Sequence, residues 1–168
     1  ITNGSITEMY SGVSKGDAQA YAPAVYKGAG GWYSGIMVQN LDTVNTTVSI
    51  DFYDRQGNQT TTYTFPNAFV PNGVAAISTR NVAGLAEGWA GTAVIKSTGS
   101  SPVIAVVDVT NPGAGLGSMY NAALASDAAT VAYVPSQYLW AGGWTSGIIV
   151  MNVSGTAADI TLEYYDRT

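Results

Sequence analysis

Carboxylates are the only acid–base groups that this sequence supplies in pairs. Asp51 and Asp54 lie three residues apart, and Glu163 and Asp166 repeat that spacing. Such a pair can serve as acid and base when burial drives one member towards neutral acidity. The alternation around Asp51 puts it on the face opposite Val48 and Ile50, which predicts a solvated carboxylate of ordinary acidity and a poor proton donor. Histidine and cysteine are both absent, so imidazole and thiol chemistry are excluded along with the commonest zinc ligands. A serine nucleophile would need Lys15, Lys27 or Lys96 as its base, and none of them stands in a Ser-x-x-Lys spacing. Asp42, Asp51 or Asp54 could join backbone carbonyls around calcium, but there is no Asp-x-Asp-x-Asp loop. The glycine-rich stretches Gly28–Gly31 and Gly113–Gly117 lack the Gly-Lys-Ser/Thr end of a phosphate loop and read as turns. No catalytic residue, cofactor or metal site is expected, and the chain does not read as an enzyme.

Modification and surface chemistry are better represented. Asn3, Asn45, Asn58 and Asn152 each open an Asn-x-Ser/Thr acceptor for glycan, with Asn58 the best placed because it falls in a predicted turn. Six Lys and Arg residues against eleven Asp and Glu give a net charge of −5, which excludes nucleic acid as a partner because no basic cluster can displace counterions. Only 10% of residues are charged, and Thr, Ser, Asn and Gly carry the polarity instead. Weak like-charge repulsion suits close side-by-side assembly. Hydrophobic residues at 46% are enough for a core, and no 18-residue apolar run exists to cross a bilayer as a helix.

An internal repeat governs what must position these groups. Residues 20–55 return at 132–167, offset by 112 without a gap and identical at 16 of 36 positions. That pattern belongs to tandem arrays rather than to a lone catalytic domain. Ile1-Thr2-Asn3 resembles Val109-Thr110-Asn111, and Met9-Tyr10 resembles Met119-Tyr120. The chain is therefore expected to divide into the tail of a preceding unit or a donor-like N-terminal segment (1–19), a complete unit (20–129) and the first part of the next (130–168), which must pack on the first unit, be completed by another chain or belong to a longer polypeptide.

Within the units, Val48, Ile50 and Phe52 alternate with polar residues, and Ile160, Leu162 and Tyr164 keep the same phase. Both copies should therefore bury matching side chains on one β framework. Further strands are expected at 19–26, 32–40, 59–66, 73–79, 89–97, 102–109, 117–124, 130–137 and 145–152. Asp54 to Asn58 reads as a hairpin connection with Gly57 or Asn58 at positive φ. Only 81–88 and 122–129 have room for a helical turn. Many short strands between Gly, Asn and Pro turns indicate an all-β antiparallel sandwich, Ig-like or Greek-key. Trp32 and Trp144 follow paired glycines in both copies and read as structural plugs. Trp89 and Trp140 have no equivalent, which suits a junction, and Tyr138-Leu139-Trp140 is the best interface candidate.

Tyr21-x-Pro23, Gly31-Trp32-x-Ser34-Gly35-Ile36-x-Val38-x-Asn40, Phe52-Tyr53-Asp54-x-x-Gly57, Gly91-Thr92-Ala93-Val94 and Pro102–Val107 together resemble repeated β-sandwich modules of large bacterial secreted or cell-surface proteins. The resemblance implies an extracellular structural segment of a surface filament or stalk that associates with identical chains or adjacent repeats. The alternative is a carbohydrate-binding adhesin module that uses exposed Trp or Tyr to stack on a glycan.

Overall fold

The computed structural model describes residues 10–166 and is an all-β sandwich. Its nine-stranded antiparallel sheet comprises β1 (Gln19–Lys27), β2 (Tyr33–Asn40), β3 (Val48–Asp54), β4 (Gln59–Thr64), β5 (Val74–Ser78), β6 (Trp89–Ser97), β7 (Val103–Asn111), β8 (Leu116–Asn121) and β9 (Ala123–Leu124). The path runs β4-β3-β6-β1-β2-β7-β8, with β5 on β2 and β9 on β1. β1 and β2 pair at a single position, Lys27↔Tyr33, so the sheet folds there into two layers. Val48, Ile50, Phe52, Ala93 and Ile95 point inward from one layer, and Ile36, Val38, Val103, Ala105 and Val107 from the other. Period-two alternation makes this core, because one face of each strand must leave water.

Pro23 would interrupt the ladder, and β1 slips its register on β6 between Ala22 and Val25, where the missing N–H is tolerated. The Tyr120 hydroxyl closes that bulge, accepting from Ala24 N at 3.1 Å and donating to Ala24 O at 2.8 Å. Its burial raises the phenol's pKa, so it remains a donor under all ordinary conditions. Of the two segments with room for a helical turn, 122–129 holds a three-residue 3₁₀ turn at Ala125–Asp127, whereas 82–88 forms no helix and the 3₁₀ turn at Thr79–Asn81 lies just ahead of it. The nearly all-apolar run Val103–Val107 suggests a strand covered on both faces, but β7, between β2 and β8, alternates buried with half-buried residues.

The second copy departs from the strand expectation. Residues 130–137, 145–152 and 159–165 do not form the expected strands; a short hairpin, β10 (Leu139–Ala141) with β11 (Trp144–Thr145), is the only pairing there among the described residues. Ile160, Leu162 and Tyr164 are 57%, 51% and 71% exposed, whereas Val48, Ile50 and Phe52 are at most 1% exposed. The cause lies in what surrounds each segment. β3 is held between β4 and β6, while residues 130–166 contain counterparts of β1 to β3 alone. An alternating segment without ladder partners has nothing against which to bury its apolar face.

Candidate functional site

The corner between β1 and β2 is built by positive-φ residues and two buried hydroxyls. Gly28, Gly30 and Gly31 take φ of 78°, 59° and 81°, where a side chain is strained. Gly31 N donates to Gly28 O, and Trp32 N to Ala29 O, which aims the half-buried Trp32 at the core. Ser34 Oγ accepts from Tyr26 N at 3.0 Å, and Thr79 Oγ1 donates to Tyr26 O at 2.7 Å. The turn ahead of β6 lies over this corner. Lys27 Nζ donates to Val82 O at 3.0 Å, the Tyr33 hydroxyl donates to Glu87, and a Cβ on Gly28 would meet the Glu87 carboxylate.

Residues 138–156 reproduce this geometry locally. Trp140, Gly142 and Gly143 have φ of 59°, 61° and 82°, each 112 residues on from a positive-φ glycine of the first corner. Leu139 pairs with Thr145 as Lys27 pairs with Tyr33. Ser146 Oγ accepts from Tyr138 N at 3.0 Å, the counterpart of the Ser34 bond. Asn40 Nδ2 donates to Val44 O at 2.9 Å while its Oδ1 accepts from Asp42 N; Asn152 Nδ2 donates to Thr156 O at 2.7 Å while its Oδ1 accepts from Ser154 N. Short-range bonds are thus copied where long-range pairing is not. Ser34/Ser146 and Asn40/Asn152 were not marked by residue type as corner-forming; their identity across the repeat was the available signal.

The carboxylates are placed otherwise than expected at one position. Asp51 does lie on the face opposite Ile50, but it is only 8% exposed, because Lys96, Thr62 and Gln59 close over it. Lys96 Nζ reaches Asp51 Oδ2 at 2.6 Å. Burial pushes the Asp51 pKa up, but hydrogen bonds from Lys96 and Thr62 with the lysine's charge outweigh it, leaving the pKa below the usual value. Asp54 begins the predicted hairpin, accepting from Gln56 N and Asn58 N, each at 2.9 Å, with Gly57 at φ 84°. Asp42 sits after β2, where hydrogen bonds from the Ser101 side chain and Thr43 N lower its pKa. Among the described residues no group of three or more His, Cys, Asp or Glu is placed to hold a metal ion. Glu163 accepts from the Tyr165 hydroxyl at 2.7 Å.

The tryptophans and glycan acceptors separate by environment. Trp89 packs against the core: its ring stands edge-on to Phe52 at 5.9 Å and its Nε1 donates to Thr60 Oγ1 at 3.3 Å. Trp140 is 75% exposed beside exposed Tyr138 and Leu139. The Trp144 side chain lies outside the described residues, as does Asn3. Asn45, Asn58 and Asn152 are exposed. A groove of about 930 Å³ runs between Tyr21, Tyr53 and Arg55 of the first unit and residues 148–157.

No helix among the described residues is long and apolar enough to cross a membrane, which says nothing of strands. A scan against protein-family models and a search of the curated proteins both give no match. Among solved structures, the crystal structure of Thermotoga maritima 1070 is similar, with a TM-score of 0.54 at 11% identity over 67% of this chain and 98% of that one. Identity at that level bears on the fold alone.

Proposed function

We propose that this chain is an extracellular structural segment of a bacterial surface filament or stalk, assembled from repeated β-sandwich modules, with no catalytic role. The observation that carries the reading is the corner at 138–146, which repeats the first unit's backbone turn, pairing and serine bond while the apolar positions that follow it remain uncovered. A pre-shaped but unpaired copy fits completion by further strands, since backbone ladders and alternate side chains supply both affinity and register. Sparse charge and hydroxyl-rich composition favour packed neighbours. The test is whether the segment around Ile160 becomes protected in native assembled material.

The carbohydrate-binding reading has one observation in its favour, the groove flanked by Tyr21 and Tyr53. It expects glycan-array binding by the folded chain that Tyr53→Ala abolishes with the circular dichroism spectrum unchanged. A folded chain that binds no glycan on the array removes it.

A further inference from the structure

The two corners share a backbone but differ in the side chains that meet an incoming turn. In the first unit that turn is Val82–Gly88, and it arrives with both backbone and side-chain contacts. Gly88 N donates to Lys27 O, and Gly28 forms a parallel bridge with Trp89. These contacts use main-chain atoms that any sequence at 139–140 also has. The side-chain contacts are another matter. Lys27, which donates to Val82 O, is replaced by Leu139; Tyr33, which donates to Glu87, is replaced by Thr145; and Gly28, against which the Glu87 carboxylate packs, is replaced by Trp140.

All three replacements act in one direction. A turn arriving over the second corner would lose the ammonium donor to its Val82 carbonyl, and its carboxylate would lose the phenol donor. It would also come down on an indole whose Cβ occupies the space that Gly28 leaves open. Trp140 holds this place in left-handed backbone at φ 59°, a strained conformation for a large side chain. Leu139 and Trp140 are 79% and 75% exposed, so the corner offers an apolar surface where its counterpart offers a polar clasp. Loss of attractive groups together with added obstruction is how an interface rejects one partner while accepting another.

We infer that the corner at Leu139–Thr145 selects a non-identical β-module of this same fold, one whose turn ahead of its sixth strand lays an apolar side chain over Trp140. It discriminates against an identical copy of this chain. The inference rests on the completion reading above and specifies the partner's chemistry within it.

The test joins residues 57–129 directly after Thr168 of the 168-residue segment, so that the second unit receives strands identical to those of the first. Four such chains are compared by thermal unfolding of the second unit: with the native corner or with Leu139→Lys, Trp140→Gly and Thr145→Tyr together, and with Glu87 or Glu87→Leu in the attached segment. With the native corner, Glu87→Leu raises Tm by about 4 °C or more. With the restored corner, Glu87 becomes the better residue and the sign reverses. Equal Tm shifts from Glu87→Leu on both corners overturn the inference and leave the completion reading standing. Failure of the second unit to fold in all four chains overturns both.

Discussion

Asp51 and Lys96 show how one ion pair sets the acid limb of stability. The folded pKa of Asp51 is lowered below the unfolded carboxylate value of about 3.9, so the folded state holds its proton less tightly. The pair's contribution is therefore fully present above pH 4 and is lost as pH falls from there through the folded value. Lys96 is shifted the other way: the Asp51 hydrogen bond raises its pKa against the opposing effect of burial, so its contribution holds below about pH 10.4 and fades only above that. Asp51→Asn should accordingly flatten part of the stability loss between pH 4 and 2 in urea titrations. Asp42, Asp54 and Asp127, whose pKa values are also lowered, retain the remainder. An acid limb unchanged by Asp51→Asn would mean that the pair carries no net linkage. Lys96→Met at pH 7 should cost about 1–3 kcal/mol, because a nearly buried carboxylate loses its charged donor.

Strands β1, β3 and β6 meet most tightly at Gly91. It pairs with Val25 on one side and Asp54 on the other, and a Cβ there would strike the Tyr53 carbonyl and the Trp89 ring. Backbone cannot swing aside as a side chain can, so Gly91→Ala should destabilise the sandwich by about 1–3 kcal/mol. A wild-type urea midpoint would contradict that packing. The same strands were the legible part of the sequence. The β3 alternation and the Asp54–Gly57 turn are local signals, and β1 to β7 all stand within a few residues of their expected places. What could not be read were properties of juxtaposition. The alternation placed Asp51 on the outer face, but only β4 and β6 on either side show that Thr62 and Lys96 cover it. Trp89 lacked a repeat partner, yet the β3–β6 pairing brings its ring to Phe52. Residues 159–165 carry as good a strand pattern as 48–54, and pattern alone does not supply neighbouring strands.

At the scale of the molecule, one closed sandwich is joined to a segment that has taken its turns without its sheet. Short-range features such as the Asn152 turn and the Ser146 bond need no partner strands, so they form where the ladder does not. Burial of Ile160, Leu162 and Tyr164 needs strands on both sides, as β3 has. The most direct test is amide hydrogen exchange on residues 159–165, compared between the isolated chain and native assembled material, with 48–54 as the internal standard. Completion predicts fast exchange at 159–165 in the isolated chain and protection approaching that of 48–54 in the assembly. Fast exchange at 159–165 within intact assemblies would contradict it.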